Sequence, residues 1–390
     1  MKKSFRVLTA LGLAAVMGLM TACGNSAGSS QTTAAAAENE ETKESVEEGT
    51  ETGSTTLGLT PLDERTTLSI GFFAGSAHSM PWYVADKMGF FDELNIDVEY
   101  QSFTGGPAMM EASADWDICD VGAPGALNGM KNYDINMIGI CDNEFNTALF
   151  VRQDTELAEN PEDPENWRGK EILLNKGTTL QYMFMQYMAS IGITDLDEYG
   201  ITITDTAVGT CLTAFETGSG DAMCVWNAFA VQAEEEGYVR ITDIGQMGLN
   251  NISTICATND AIENKTDLIT TAYQVYYLTW EWCQESEENM AKAVELFTDS
   301  CDDEGIAVTE TTAQRLLEEF QCTSLADAIA DMTTEAQDRN GSGETVTEAT
   351  NQLFETLDFF ITLGNYTEED RQTIVDKGLV NPAIAEASEK

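Results

Sequence analysis

The chain has 390 residues, with 67 Asp and Glu against 19 Lys and Arg, which gives a formal net charge of −48 at pH 7. This excess of acid excludes most nucleic-acid binding, which needs clusters of Lys and Arg, and it disfavours attraction to anionic lipid headgroups. One His and nine Cys do not favour a His-rich metal site. The length suits two lobes or one large α/β unit.

The amino end has the layout of an export signal. Three basic residues precede an apolar run of 14 residues at 7–20, which is shorter than the roughly 20 residues that a spanning helix needs. Small residues then lead into Cys23, an order that resembles the lipobox of bacterial lipoproteins. We therefore expect 1–22 to be a lipoprotein signal peptide and Cys23 to anchor the chain to the outer face of the bacterial cytoplasmic membrane, at the cell surface or in the periplasm. An ordinary signal cleaved nearby is the alternative.

Residues 23–65 have the composition of a tether. They are rich in Ser, Thr, Ala and Gly, and 25–60 contains seven Glu and one Lys. Because this segment has almost no large apolar residue, it cannot bury enough surface to offset its chain entropy. We expect a disordered, acidic tether between the lipid and a folded body that begins near Thr66.

The folded body opens with alternating strands and helices. Alternation of apolar residues predicts strands, and Ser79 and Pro81 open the first helix as cap and first-turn residue. In chain order we expect a strand at 67–74, a helix from Ser79, a strand at 96–102, a helix from Gly106, a strand at 117–121, a helix at 123–131 and a strand at 135–141. Such a series implies a parallel sheet with crossover helices.

A second series of the same kind follows a loop rich in Pro and acid at 156–167. We expect strands at 171–175, 201–206, 222–226 and 239–242, with helices at 178–190, 211–217 and 228–236 between them. Residues 251–257 are β-rich and lead back to the first lobe. The remainder is helical, with predicted helices at 265–285, 287–302, 310–320, 324–338, 346–362 and 368–376.

Several short motifs in this order are typical of one family. They are Tyr83-Val84-Ala85, Gly89-Phe90-Phe91, the Gly105-Gly106-Pro107 turn, the Gly122 turn, and the stretches 168–184 and 213–230. The chain resembles the type II periplasmic-binding-protein family, whose members capture nitrate, taurine and other sulfonates, or thiamine-pyrimidine precursors for ABC importers. The resemblance covers most of the folded chain to about residue 260.

This resemblance implies an α/β fold of two lobes that close like a venus flytrap, with a helical C-terminal extension on lobe one. Lobe one would be 66–148 plus 255–390 and lobe two 149–254, with crossovers near 149–152 and 253–257. The ligand would lie in the cleft between the lobes, and closure would be a hinge motion.

The resemblance also implies the function of an extracytoplasmic solute-binding lipoprotein. Its partners would be a small-molecule ligand, an ABC transporter permease with its ATPase, and the membrane through Cys23. We expect a monomer that is not an enzyme and needs neither a cofactor nor a metal. The alternatives are a surface signalling or adhesion module, or an enzyme like the thiamine-pyrimidine synthases, which share the fold and consume their own His.

Ligand groups are expected in the loops at the carboxyl ends of the strands, where free N–H groups of helix starts receive anionic or acceptor atoms. The candidates on these loops are Ser76, His78, Ser79, Thr104, Gly105, Ala123, Pro124, Thr178 and Thr179. His78 would donate a hydrogen bond to the ligand. Capping and turn geometry alone is the alternative for each Ser and Thr, and a helix-cap or surface position is the alternative for His78.

Aromatic and amide side chains complete the expected cleft. Trp82, Tyr182 and Trp226 could form flat walls, and Asn227 could both donate and accept hydrogen bonds. Asn143 and Glu144 follow Asp142 near the hinge, where the carboxylates of Asp142 and Glu144 would favour an amine or other cation. Core packing and a solvated turn are the respective alternatives. His78 with the aromatic walls favours a planar heterocycle such as a pyrimidine, and the helix-start loops also suit a small organic anion of the sulfonate or nitrate type. We rank these two ligand classes ahead of a cationic one.

Eight Cys remain besides Cys23. Export permits disulfides, and Cys119 with Cys141 or Cys301 with Cys322 could pair, although the sequence does not fix the connectivity. Free buried thiols are the simpler expectation for most of them.

Overall fold

The computed structural model describes residues 55–73, 75–143, 145–341 and 346–389. The predicted signal peptide, Cys23, the tether up to residue 54 and Glu144 lie outside the described residues. The strands are β1 (Thr66–Phe72), β2 (Ile96–Ser102), β3 (Ile118–Gly122), β4 (Asn136–Asn143), β5 (Thr147–Val151), β6 (Glu171–Leu174), β7 (Thr202–Asp205), β8 (Ala222–Trp226), β9 (Val239–Asp243), β10 (Ile252–Ala257), β11 (Glu335–Ala336) and β12 (Val346–Thr347).

The helices alternate with these strands and then dominate the carboxyl end. They are α1 (Met80–Lys87), α2 (Phe90–Glu93), α3 (Gly106–Glu111), α4 (Ala123–Tyr133), α5 (Glu156–Glu159), α6 (Thr179–Ser190), α7 (Leu196–Tyr199), α8 (Val208–Glu216), α9 (Asn227–Glu235), α10 (Asn259–Asn264), α11 (Thr266–Gln284), α12 (Glu287–Asp303), α13 (Glu310–Glu319), α14 (Leu325–Thr333), α15 (Glu348–Thr362), α16 (Glu368–Lys377) and α17 (Ala383–Ser388). In the part of the chain so described, no helix combines the length and apolar character needed to cross a membrane.

The sheet of the first lobe has the strand order β2-β1-β3-β10-β4. β1 pairs in parallel with β2 and β3, as the predicted series of strands and helices requires. β10, in contrast, lies antiparallel between β3 and β4. The four strands of the predicted series therefore run in the same direction, and β10, which returns from the second lobe and enters from the opposite end, is the antiparallel strand among them.

The sheet of the second lobe has the order β7-β6-β8-β5-β9. β6 pairs in parallel with β7 and β8, whereas β5 is antiparallel to both β8 and β9. β5 and β10 are the segments that carry the chain between the two sheets, and each becomes an antiparallel strand of the sheet it enters. Each sheet has its own hydrophobic core, around Leu68 and Ile118 in the first lobe and Phe150 and Phe184 in the second.

Local sequence explains where the helices next to the cleft begin. Pro occupies the first turn of α1, α3 and α4, where its missing N–H costs no helical hydrogen bond. The Thr178 side chain accepts a hydrogen bond from the N–H of Leu180 and so caps α6. Ser79 precedes α1 but makes no such capping bond, because its hydroxyl is engaged elsewhere.

Residues 55–65, which the composition assigns to the tether, pack on the first lobe. Leu57, Leu59 and Leu62 contact its core, and the Leu62 N–H donates to the carbonyl of Leu94 at 3.1 Å. This segment therefore belongs to the folded body in the structure.

The helical extension follows the predicted pattern except after Thr333. The helix expected over 324–338 ends there as α14, Thr334 takes extended backbone angles of φ −85° and ψ 128°, and β11 pairs with β12. The β-branched pair Thr333 and Thr334 favours this extended stretch over a longer helix. α17 near the carboxyl end was not predicted.

The extension contacts both lobes. A third hydrophobic cluster joins Phe72 of lobe one, Ala228 of α9 in lobe two and Phe297 of α12. Arg315 of α13 forms an ion pair with Glu234 of α9, with 2.6 Å between Nη1 and Oε2. The C-terminal helices therefore reach beyond lobe one and hold part of lobe two.

Candidate functional site

A cavity lies where the helix starts of the two lobes face each other. It has a volume of about 30 Å³ and is lined from lobe one by Phe73, Ser76, His78, Gly106, Val121, Gly122 and Gly125, and from lobe two by Thr178, Thr179 and Trp226. We call this the central cavity. The first turns of α3, α4 and α6 border it, so their free N–H groups and the partial positive charge of the helix starts lie near its wall.

The two lobes touch beside this cavity. A Cβ atom added to Gly105 of lobe one would be 2.2 Å from Oδ1 of Asn175 in lobe two, and one added to Gly177 would be 3.2 Å from Cγ of Pro107. The structure is thus a closed arrangement. In it the central cavity has room for about one or two water molecules.

Ser76 supplies a polar group to the central cavity. Its side chain is only 2% exposed, and its Oγ atom has no hydrogen-bond partner among the described residues. A buried hydroxyl without a partner costs free energy, about 1–3 kcal/mol. A ligand atom or a water molecule in the cavity would remove that cost.

His78 sits above a buried carboxylate, Asp120. The Asp120 side chain is fully buried. It accepts hydrogen bonds from Ser79 Oγ at 2.8 Å and from Trp82 Nε1 at 3.1 Å, and its Oδ1 is 3.5 Å from His78 Nε2. Burial raises the pKa of Asp120, while the neighbouring His78 and the donated hydrogen bonds oppose that rise. The buried carboxylate of Asp120 therefore holds the His78 imidazole in position at the cavity wall.

Sequence reasoning missed Asp120 and placed one of its partners, Ser79, in the cleft. Ser79 is fully buried, donates to Asp120 and accepts from the N–H of Phe73 at 3.1 Å, and it is not among the residues that line the cavity. Trp82 packs in the core, with its ring tilted by 52° against that of Tyr276. A charged residue inside the apolar run of β3 is the signal that could have identified Asp120.

A second, smaller cavity lies on the hinge side of His78. It has a volume of about 20 Å³, and its lining includes His78, Asp142, Asn143, Thr147 and Asn227. Thr147 is 1% exposed and its Oγ1 has no hydrogen-bond partner among the described residues. Asn227 begins α9 with a left-handed φ of 45°, which is uncommon for a residue other than Gly. The structure thus brings Asn143 and Asn227 together next to His78.

A third cavity, which we call the outer cavity, lies next to the central cavity. It has a volume of about 170 Å³, and Phe73 and Trp226 line both it and the central cavity. Thr104 lies on its wall. Trp226, which the sequence offered as an aromatic wall, thus borders two cavities of the cleft.

Other predicted residues lie away from these cavities. Ala123 is fully buried at the start of α4, and Gly105 lies at the lobe contact. Pro124 lines a separate pocket of about 260 Å³ with Lys131 and Tyr366. Tyr182 packs edge-on against Phe359 of α15, with ring centroids 5.1 Å apart. Of the predicted set, Ser76, His78, Thr178, Thr179 and Trp226 are those that share the central cavity.

The eight described cysteines are free thiols, and all except Cys322 are buried. The pairings that the sequence left open, Cys119 with Cys141 and Cys301 with Cys322, are not formed in this part of the chain. Cys119 instead lies opposite Cys256 across β3 and β10. Burial is the main reason that the pKa of Cys119 is raised well above its ordinary value, and a hydrogen bond with the Cys256 thiol adds to the rise.

Solved structures share this architecture. The alkanesulfonate-binding protein SsuA from Xanthomonas axonopodis pv. citri, bound to MOPS, is 16% identical, with 67% of this chain and 86% of that chain covered and a TM-score of 0.56. The periplasmic nitrate-binding protein NrtA from Synechocystis PCC 6803 is 12% identical, with coverages of 85% and 90% and a TM-score of 0.59. The ligand-binding component of an ABC-type import system from Staphylococcus aureus, with zinc bound, is 11% identical, with coverages of 83% and 99% and a TM-score of 0.61.

At these identities the likeness establishes the fold, which is that of the two-lobed periplasmic binding proteins. No curated protein matches the sequence of the chain. The family model described as NMT1/THI5 like matches residues 76–290, a span that begins at Ser76 and includes the whole second sheet and every strand of the first sheet except β1. Because that span is more than half of the chain, this protein belongs to the NMT1/THI5-like family.

Proposed function

We propose that this protein is an extracytoplasmic solute-binding lipoprotein that captures a small molecule between its two lobes and delivers it to an ABC importer. The observation that carries the proposal is the central cavity, which takes Ser76 and His78 from lobe one and Thr178 and Thr179 from lobe two. A molecule held there contacts both lobes at once. Its binding free energy therefore favours the closed arrangement over an open one.

The lining of the central cavity supports a ligand with hydrogen-bond acceptors. N–H groups at the starts of α4 and α6, the hydroxyl of Ser76 and the imidazole of His78 supply donors, and no Lys or Arg is among the described residues that line it. Trp226 adds a flat apolar surface. A planar heterocycle of the pyrimidine type fits this combination, and so does a small organic anion that is held without a countercharge.

We propose that the protein is attached to the membrane outside the cytoplasm, because the sequence before the folded body resembles a lipoprotein signal. Basic residues, the apolar run at 7–20 and the small residues before Cys23 together have the order of a lipoprotein signal. The tether then gives the folded body reach from the membrane to a permease. Replacement of Cys23 by Ala should move the protein from the membrane fraction to the soluble fraction, and retention at the membrane would contradict the anchor.

We further propose that the protein binds its ligand without converting it. The solved structures described above are named as binding proteins. The polar side chains near His78 donate hydrogen bonds to Asp120 or line the cavity. Incubation followed by mass spectrometry should return the bound ligand and the protein, including His78, with unchanged masses. A converted ligand or a modified His78 would favour the enzyme alternative.

Thermal-shift measurement tests the binding function directly. The purified protein is heated with nitrate, sulfonates, pyrimidines, amino acids and polyamines in turn. We expect one class to raise Tm by several degrees, because a ligand at about 100 times its Kd adds about 2.7 kcal/mol of stability. Ser76→Ala should reduce the shift, while Ser190→Ala, on the exposed end of α6, should retain it. The absence of a shift with every class would contradict the proposal.

A further inference from the structure

The outer cavity has the surface of a site for an apolar group. Its wall consists largely of hydrophobic side chains, with a polar rim of Ser102, Thr104 and Glu304; the apolar members are Phe73, Phe103, Val208, Trp226, Phe229 and Ile306. Its volume is about 170 Å³. An apolar cavity of about 150 Å³ is large enough to hold a benzene ring.

The outer cavity adjoins the central cavity. Phe73 and Trp226 line both, so a molecule whose polar end lies beside Ser76 and Thr178 would extend past these two rings to enter the outer cavity. The central cavity, at about 30 Å³, holds only a small polar group in this closed arrangement. The space for the rest of an organic ligand is therefore on the outer side.

The negative charge of Glu304 at the rim of the outer cavity limits the charge that this end of the ligand can carry. Glu304 is exposed and accepts a hydrogen bond from Ser102 Oγ at 3.0 Å. No Lys or Arg is among the described residues of this lining. A second anionic group at this end would meet the Glu304 carboxylate without a compensating cation, so an uncharged end is favoured.

Part of this wall lies outside the region that defines the family. Glu304 and Ile306 follow α12, and the family match ends at residue 290. Ile306 also contacts lobe one, because a Cβ added to Gly75 would be 3.1 Å from its Cδ1 atom. The C-terminal extension of this chain thus contributes directly to the cleft.

We infer that the ligand carries an uncharged apolar or aromatic end of about the size of one ring, which lies in the outer cavity while its polar end lies in the central cavity. This inference rests on the proposed function and narrows it to organic ligands. It separates this chain from a protein that binds only a small inorganic anion, for which the outer cavity would have no use.

Calorimetric titration with matched pairs of compounds tests the inference. Each pair shares one polar head and differs by a ring: methanesulfonate and benzenesulfonate, acetate and phenylacetate, and 4-methylpyrimidine and 4-phenylpyrimidine. For each head that binds, we expect the member with the ring to bind at least about tenfold more tightly, because the ring buries apolar surface.

A substitution that fills the outer cavity with a larger side chain tests whether the ring binds there. Gly209 is exposed on the cavity wall, and a Cβ added there would be 3.7 Å from the nearest ring atom of Phe229, which is an ordinary contact. Gly209→Leu should therefore fill the space without disturbing the core and should abolish the preference for the ring. Thr210→Leu, the next residue on α8 and also exposed, is the control that should keep the preference.

The outcomes separate this inference from the proposed function. Binding of the ring-free compounds with no gain from the ring overturns the inference and leaves the proposed function standing. A ring preference that survives in Gly209→Leu also overturns it, since the ring then lies elsewhere. Failure of all six compounds to bind counts against the proposed function itself.

Discussion

Asn175 of lobe two lies against the backbone of Gly105 in lobe one, with its Oδ1 only 2.2 Å from where a Cβ of residue 105 would be. The Asn175 side chain is held by a hydrogen bond from Nδ2 to Asp205 at 3.2 Å. Gly105 has an extended φ of 177°, a conformation that any residue adopts. The glycine is therefore required for space at the lobe contact and not for its backbone freedom.

Gly105→Ala should weaken ligand binding by blocking full closure. The added methyl group displaces Asn175 from Asp205 or holds the lobes apart, and such overpacking costs about 1–3 kcal/mol, or roughly tenfold or more in affinity. Each lobe keeps its own core, so the Tm without ligand should change little. Titration calorimetry and thermal melting measure the two effects.

Ala108→Ser, on the exposed face of α3, is the control for this substitution and should bind ligand as the wild type does. Unchanged affinity in Gly105→Ala would show that the ligand-bound state does not need this contact.

Arg315 links the C-terminal helices to lobe two, and its removal should speed ligand release. It pairs with Glu234 of α9 at 2.6 Å and with Glu319 at 2.9 Å. Because these side chains are partly exposed, Arg315→Ala should cost less than about 1 kcal/mol in stability. If opening separates α9 from α13, the dissociation rate should rise severalfold, and the difference from wild type should shrink at high salt.

Stopped-flow dissociation at two salt concentrations measures that effect. Arg168→Ala breaks a comparable exposed pair with Glu165, which lies within lobe two, and should leave the rate unchanged. Equal rates for wild type and Arg315→Ala would mean that α13 moves together with lobe two.

Asp331 of α14 gives the fold a dependence on pH. Partial burial, together with the nearby carboxylates Glu348 and Asp327, raises the pKa of Asp331 to about 6. Since the folded pKa lies above the unfolded value, the neutral form is favoured in the fold, and stability is lost as pH rises through this range. Asp331→Asn should therefore stabilise the protein at pH 8 by about 1 kcal/mol after allowance for solvent screening.

Most of the gain should disappear at pH 4, where Asp331 is protonated in the fold and about half protonated in the unfolded chain, in which the pKa of Asp is about 3.9. Thermal melts at pH 4 and pH 8 compare this variant with Asp63→Asn, an exposed carboxylate before the first strand. A gain of equal size at both pH values would contradict the assignment to Asp331.

The thiols should be almost inert in the native protein. Seven of the eight described cysteines are buried and Cys322 is partly exposed, and burial raises the pKa of Cys141 and Cys224 well above the ordinary value. With Cys23 replaced by Ser, a thiol reagent should modify at most Cys322 quickly. Unfolding in guanidinium should then release eight reactive thiols, whereas a smaller number without reductant would reveal a disulfide.

The positions of the cleft loops could be predicted because they follow from local patterns. Alternating strands, Pro in the first turns of α3 and α4, and the cap Thr178 each depend on residues close in sequence. These patterns correctly placed Thr178 and Thr179 at the start of α6, facing the loop of Ser76.

The remainder depends on contacts between distant parts of the chain. Tyr182 looked like a cleft wall, but α15 places Phe359 against it. Ser79 looked like a cap or a ligand group, but Asp120 of β3 takes its hydroxyl. The antiparallel insertion of β10 and the reach of α13 to lobe two likewise involve partners far apart in sequence, which local propensity does not encode.

A crystal structure with the ligand identified by thermal shift tests the central claim most directly. We expect electron density in the central cavity, with ligand atoms within hydrogen-bond distance of Ser76 Oγ from lobe one and of the first turn of α6 from lobe two. Density confined to one lobe, or to the separate pocket beside Lys131 and Tyr366, would contradict capture of the ligand between the two lobes.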